Sequence, residues 1–238
     1  MLPLPSSEIQ REQPLAEQAF QLLRGRILRC EIEPGAKLKI ETLQRDHGFS
    51  SSPLREALNR LAQEGLVKSD ERRGFRAAPV TVADLRDVTR MRLLVDGEAL
   101  RDAMKQGDDA WEGQAVAAFH RLEKVEDRIT GPGPLSLNAE WSLLHKQFHV
   151  ALLAACTSPK LLELSSSLFD QAERYRRLSM RWRKEPRNKA AEHKRILDAV
   201  FSRNAKAAVA LLHDHISRTS ANVEASLLKV STLGEGRS

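Results

Sequence analysis

Cysteine is nearly absent from this sequence, with only Cys30 and Cys156 among 238 residues. They lie far apart and form no CxxC or zinc-ribbon spacing, so neither a disulfide scaffold nor a thiolate metal site has support. Long apolar runs are also missing. The longest, Val150 to Cys156, falls far short of the ~20 residues that cross a bilayer, and Met1 to Arg11 lacks a cationic start followed by an apolar stretch. No membrane partner and a cytoplasmic location are therefore expected. Aromatics are scarce at 5%, yet 41% hydrophobic residues suffice for a real core and exclude disorder as the main state. Charge of one sign is in small excess, 38 Lys+Arg against 32 Asp+Glu. This net +6 allows an anionic partner without naming one.

At ~100 to 200 residues per domain the chain fits one large domain or two modest ones. The pattern favours two. Up to residue 78 the sequence reads as short helices broken by Gly, with a brief strand-like end; beyond Thr81 it reads as long helices. Pro79 disfavours helix in the residue before it, and Thr81 with Asp84 forms a T-x-x-D start signal. The expected organisation is an N-terminal tail (1–14), a first domain (15–78), a linker (79–83), a helical domain (84–230) and a C-terminal tail (231–238). The expected fold class is mainly α.

In the first domain Leu15, Ala19, Leu22, Leu23 and Ile27 mark one helix, which Pro34-Gly35 follows, and Ile40 to His47 a short second one that Gly48 ends. A third follows, with Ser50, Ser51 and Ser52 as capping hydroxyls, Pro53 at the first helical position and Leu54, Leu58 and Leu61 as the buried stripe. Val67–Ser69 and Phe75–Ala77 read as strands around a tip carrying Arg72, Arg73 and Gly74. This order is that of a winged helix-turn-helix. A third helix of this kind enters the major groove by its N-terminus, where Ser50, Ser51 and Ser52 meet phosphate, while Arg55 and Asn59 lie opposite the leucines. Arg55 is the base-reading candidate, because Arg can hold guanine O6 and N7 at once. Arg72, Arg73 and Arg76 supply groove or phosphate contacts, and Gly74 lets the wing approach closely. Residues 1 to 80 hold 13 Lys+Arg and 11 Asp+Glu, a net of 13 − 11 = +2, so any basic surface there is a cluster and not an excess. A protein-binding winged helix with a solvated basic face is the alternative.

The run Phe49-Ser50-Ser51-Ser52-Pro53-Leu54-Arg55-Glu56-Ala57-Leu58, with Glu64-Gly65-Leu66-Val67 and Arg73-Gly74-Phe75-Arg76-Ala77, resembles the DNA-binding signature of GntR-family transcriptional regulators. The resemblance implies a homodimer on a double-stranded, palindromic DNA operator, with repression the commoner outcome. The family pattern usually has Arg where this chain has Ser51, so one customary DNA contact is missing.

Six helices are expected beyond the seam, near 81–106, 109–130, 136–156, 159–184, 188–202 and 205–229, forming an all-helical bundle. Polar residues interrupt their apolar stripes. His145 and His149 sit at i, i+4 beside Trp141, Leu144, Phe148, Leu152 and Ala155; His193 precedes Ile196, Leu197 and Val200; His215 follows Ala208, Leu211 and Leu212. His213 faces another way. Four inward imidazoles from three helices can hold a divalent metal, zinc first, with nickel, iron or manganese as alternatives; satisfied core histidines are the plainer reading. A neutral imidazole cage leaves the cation's charge free to take a carboxylate at an open position. Arg92 interrupts the stripe of Leu85, Val88, Val95 and Ala99 and needs an anion, either Asp96 one turn later or a bound carboxylate effector. The basic run from Arg174 to Lys189 reads as a solvated helix end and loop.

This region resembles the FCD ligand-binding domain of the FadR-type branch of the same family, with His149, His193 and His215 at the positions of its metal-binding histidines and Arg92 lining its effector cavity. Where that domain commonly has Asp, this chain has His145. Trp141 to His149 (WSLLHKQFH) resembles the carbon-starvation-induced regulator subgroup in particular. Two other readings remain open. One is a metal sensor whose effector is the ion itself. The other is a metal-dependent enzyme with an accessory winged helix, against which stands the absence of HExxH, a nucleophile elbow or a phosphate-binding glycine loop.

Overall fold

The computed structural model describes residues 13–70, 74–128, 138–180 and 189–235. Nine helices and three strands occur among them, divided between two units, residues 1–80 and 81–238.

The first unit runs α1 (Leu15–Leu28), β1 (Lys37–Leu38), α2 (Ile40–His47), α3 (Ser51–Gln63), β2 (Val67–Asp70) and β3 (Gly74–Ala77). Its core forms because α1 and α3 each carry apolar residues on one stripe. Ala19, Phe20, Leu23 and Ile27 pack against Leu54, Ala57, Leu58 and Leu61, closed by Leu43, Leu66 and Val67. Gly48 adopts φ 73°, a left-handed cap that any other side chain would strain, and so frees the chain to turn from α2 into α3. The strands form an antiparallel sheet in the order β1-β3-β2. The two-residue strand β1 is an addition to what periodicity shows. The start of α3 is a correction: Ser51 is the first helical residue, Pro53 lies two further in, and the Ser50 side chain makes no capping hydrogen bond. Pro53 is tolerated there because the first four N–H groups of a helix have no partner within it.

The second unit is a bundle of α4 (Val82–Gln106), α5 (Asp109–Arg128), α6 (Ala139–Leu153), α7 (Pro159–Met180), α8 (Lys189–Phe201) and α9 (Ala205–Glu235). Short polar caps start these helices. Thr81 Oγ1 accepts from Asp84 N, Asn138 Oδ1 from Trp141 N, Ser158 Oγ from Leu161 N and Asn204 Oδ1 from Ala207 N. Helix α4 packs against α9 and α7, and α5 against α6 and α8, so α6, α7, α8 and α9 all reach the interior. Arg203 closes the end of α4 by donating to the carbonyls of Met104 (3.0 Å) and Gly107 (2.9 Å), groups that a helix C-terminus leaves unpaired. Among the described residues no helix is long and apolar enough to cross a membrane.

Candidate functional site

In the first unit, the buried leucines of α3 fix which side chains face outward. Ser50, Ser51, Ser52, Arg55 and Asn59 are all exposed, while Leu54, Leu58 and Leu61 are fully buried. The third helix thus presents one polar face with Arg55 and Asn59 a turn apart. Gly74 begins β3 at φ 73° with open space around its Cα, and Arg76 is exposed two residues on, donating through Nη1 to the Gly35 carbonyl at 3.2 Å. Arg72 and Arg73 lie outside the described residues.

Strand register adds two residues that the linear sequence hides. Lys37 is opposite Arg76, and Arg76 is opposite Lys68, so three exposed cations stand in one row across the outer face of the sheet. Neither lysine makes an ion pair among the described residues. Like charges directly opposite each other cost stability, typically a few tenths of a kcal/mol to ~1 kcal/mol per pair.

The histidines of the second unit converge. His145 and His149 come from α6, His193 from α8 and His215 from α9; all four are buried, and one ligand nitrogen from each lies within 4.8 Å of the others. Two metal–nitrogen bonds of ~2 Å span at most ~4 Å, so the donor set fits one cation with small adjustment. His145 Nε2 and His149 Nε2 are 3.2 Å apart. Trp141 stacks on His145 at 4.5 Å between centroids and fixes its ring plane. Burial, then the neighbouring His215, His193, Arg92 and Arg176, hold the His149 pKa well below its ordinary value, which keeps the ring neutral and its lone pair available. His215 Nδ1 meets Glu192 Oε2 at 2.8 Å, the carboxylate-to-imidazole contact that orients metal-binding histidines. His213 does not join the cluster. It packs on α4, where a Cβ added to Gly97 would fall 2.5 Å from its Nε2.

Arg92 and its neighbours make the cluster's surroundings charged. Its guanidinium holds Asp96 through Nε (3.0 Å) and Nη2 (2.9 Å), and Ser165 Oγ donates to the other Asp96 oxygen at 2.6 Å. Of the two partners open to Arg92, Asp96 is the one it meets. A narrow cavity lined by Arg92, Asp96, His149, Ser165 and Phe169 lies against the cluster, with room for little more than a water. Arg176 is the residue that sequence reasoning missed. Far from being a solvated helix end, Arg174 and Arg176 are buried. Arg176 stands 4.6 Å from the Phe169 ring, pairs with Glu173 and reaches His145 Nδ1 at 3.0 Å. Glu173 in turn accepts from Ser142 Oγ and Arg177 Nε. Ser165, Phe169, Glu173 and Arg176 recur at helical spacing along α7, an inward stripe that turns polar toward its end. That spacing was the signal. Residues 181–188 of the basic run lie outside the described residues.

Comparisons with known proteins agree with both halves of this architecture. Residues 15–76 match the model of bacterial regulatory proteins of the gntR family, and residues 87–218 match that of the FCD domain. An uncharacterised HTH-type transcriptional regulator of Paraburkholderia xenovorans (strain LB400), BphR, is 35% identical over 90% of this chain and 86% of its own length. The HTH-type transcriptional repressor GlaR of Escherichia coli (strain K12) is 31% identical over 83% of this chain and 90% of its own. Among solved structures, Escherichia coli McbR/YncC shares the fold at a TM-score of 0.71 and 17% identity, covering 89% of this chain and 97% of that one. A GntR regulator from Rhodococcus sp. RHA1 does so at 0.67 and 21%, covering 87% and 96%. A winged helix followed by a helical bundle, matched along both parts, places the chain in the GntR family of DNA-binding transcriptional regulators, in the FadR-type branch with an FCD domain.

Proposed function

We propose that this regulator is a homodimeric repressor whose helical unit holds a divalent metal and a small carboxylate effector that modulates operator binding. The observation that carries this reading is the meeting of four buried imidazoles, one of which, His149, lines a narrow cavity together with the buried guanidinium of Arg92. His145, His149, His193 and His215 form the donor set. A bound cation there supplies positive charge and an open position that a carboxylate can fill. Arg92 lines the same cavity and orients the anion, and a ligand larger than water requires the lining side chains to part. Effector binding alters DNA affinity only if the effector has different affinities for the two arrangements of the protein. Repression is supported by the Escherichia coli relative GlaR, an HTH-type transcriptional repressor, and the carbon-starvation-induced subgroup by the Trp141–His149 motif.

On the DNA side, Ser50, Ser51, Ser52, Arg55, Asn59, Gly74 and Arg76, with Arg72 and Arg73, carry the interface. The row of Lys37, Arg76 and Lys68 adds phosphate contacts. Changing Lys37 and Lys68 together to Gln is expected to raise the melting temperature of the free protein, because like charges are removed. The same change is expected to weaken binding to any duplex and to lower the slope of log K against log[salt] by about 1 to 2. An unchanged slope would remove the row from the interface.

The proposal is tested by fluorescence anisotropy on DNA from the protein's own promoter and on scrambled DNA, at two salt concentrations, with and without a chelator. Preference for promoter DNA that a chelator alters supports a metal-dependent regulator. Preference that ignores the chelator removes the metal from DNA control. DNA affinity that follows metal concentration across a graded series makes the ion itself the effector.

A further inference from the structure

The outward face of α4 carries a charge pattern that its own protomer leaves unused. Leu85, Val88, Arg92, Val95 and Ala99 of this helix are buried, while Asp87, Arg90, Leu94, Glu98 and Arg101 recur every three or four residues on the exposed side. Leu94 is 61% exposed, more than any other large apolar side chain among the described residues. Single exposed apolar residues are ordinary, so its position matters more than its exposure. The charges of the helix invert about it: Arg90 and Glu98 lie four residues to either side, Asp87 and Arg101 seven to either side. Among the described residues neither Asp87 nor Arg90 has an ion-pair partner. Glu98 and Arg101 meet each other at 2.9 Å, with more than half of each side chain still exposed.

Two copies of this helix laid antiparallel about a twofold axis at Leu94 bring opposite charges together throughout. Each Arg90 faces the partner's Glu98 and each Asp87 the partner's Arg101, and the symmetry makes every match occur twice. A parallel arrangement sets each residue against its own copy, like charge on like, and so is disfavoured. At a crossing angle of about 20°, residues seven positions from the axis, ~10 Å along the helix, separate by only ~4 Å, which an arginine side chain spans.

Helix α9 widens the same face. It runs antiparallel beside α4, where Thr89 Oγ1 donates to Ser220 Oγ at 2.7 Å, Arg86 Nε to Glu224 at 3.2 Å, and Gly97 backs onto His213. Its exposed residues Ala210, Ser217 and Ala221 are small and leave the two-helix layer low in relief. Helix α4 has 25 residues. A layer ~35 Å long and ~20 Å wide offers roughly 700 Å² per protomer, close to the ~800 Å² a side of stable protein pairs.

We infer that two copies of this chain associate through the α4–α9 face, antiparallel about Leu94, with Arg90–Glu98 and Asp87–Arg101 pairs between protomers setting the register. This rests on the homodimer reading above and gives it a surface. Leu94 supplies the apolar centre. Ion pairs at a solvated rim add little affinity, and their part is to exclude other registers.

Sedimentation of the full-length protein without DNA, over a concentration series, measures the association. Arg90→Glu alone sets carboxylate against carboxylate at both copies of the contact, and Glu98→Arg alone sets guanidinium against guanidinium. Each is expected to weaken self-association at least about tenfold. An equimolar mixture of the two variants regains opposite charges at both contacts, as does the double variant R90E/E98R, and both should associate within about threefold of wild type. Leu94→Glu, which places two like charges at the axis, should weaken association on the order of 100-fold. All three side chains are exposed, so helix content by circular dichroism should match wild type. Single variants that associate as tightly as wild type overturn the inference and leave the homodimer to another surface. Weak single variants rescued neither in the mixture nor in the double variant overturn the register. A wild-type protein that sediments as a monomer at every concentration instead removes the homodimer reading itself.

Discussion

Replacing Asp96 by alanine is expected to destabilise the helical unit by about 3–5 kcal/mol, the usual result of leaving one half of a buried ion pair uncompensated. The side chains of Arg92 and Asp96 are 7% and 4% exposed, so water cannot take the place of the lost carboxylate. The substitution strands two charge-assisted hydrogen bonds from Arg92 and the hydroxyl of Ser165, which donates to Asp96 at 2.6 Å. Denaturant unfolding measures the loss. Asp96→Asn, which retains one acceptor oxygen, should lose less, and replacing both Arg92 and Asp96 by apolar residues of similar volume should recover most of the stability, because the cost lies in the unpaired charge. The same variants examine the proposed effector site. With Asp96 gone, Arg92 needs another anion, so acetate should raise the melting temperature of Asp96→Ala more than that of the wild type. If Asp96→Ala stays within about 1 kcal/mol of wild type, the pair is solvated in solution and Arg92 is already free for a ligand.

Much of the fold was legible because its signals are local. Thr81 with Asp84 announces a helix start in sequence, and Thr81 Oγ1 accepts the expected backbone hydrogen bond from Asp84. The histidines were legible for a related reason, since a polar residue that breaks an apolar stripe is directed inward by its neighbours whatever its chemistry. Arg92 followed the same logic. What stayed hidden depends on partners remote in sequence. Lys37–Leu38 is a strand only because β3 runs beside it, and the Lys37–Arg76–Lys68 row exists only through register. The start of α3 was misread because Pro53 suits a first helical position but is also tolerated deeper in the first turn. Arg176 was the costliest omission. Charged residues near a helix end look solvated, although Glu173 and Arg176 continue the inward stripe of Ser165 and Phe169, and the packing of α7 against α4, α6 and α9 buries them.

The two units divide the work along physical lines. The first has a fully apolar core and keeps its functional groups outside, where they can meet a large polyanion. The second places charge within its interior, where the low dielectric strengthens every polar contact and leaves an unpaired group expensive.

Arg55→Ala is expected to reduce discrimination between operator and scrambled DNA by about 5- to 150-fold, the equivalent of the ~1–3 kcal/mol that a bidentate contact to guanine provides. Stability should change little, because Arg55 is exposed on α3 while Leu54 and Leu58 beside it are fully buried and untouched. Arg55→Lys separates charge from geometry. Lysine keeps the positive charge but lacks the planar fork, so the salt dependence should persist while discrimination falls. Anisotropy titrations on both duplexes, each at two salt concentrations, distinguish the outcomes. A uniform loss on both duplexes in Arg55→Ala would make Arg55 a phosphate contact and shift base reading toward Asn59. Ser51→Arg supplies the opposite perturbation, restoring the residue usual in the family at the N-terminus of the same helix. It should tighten binding, and whether the gain is confined to one sequence determines whether position 51 reads bases or grips the backbone. A gain on every duplex, with a steeper salt slope, assigns Ser51 to phosphate and leaves operator choice with Arg55.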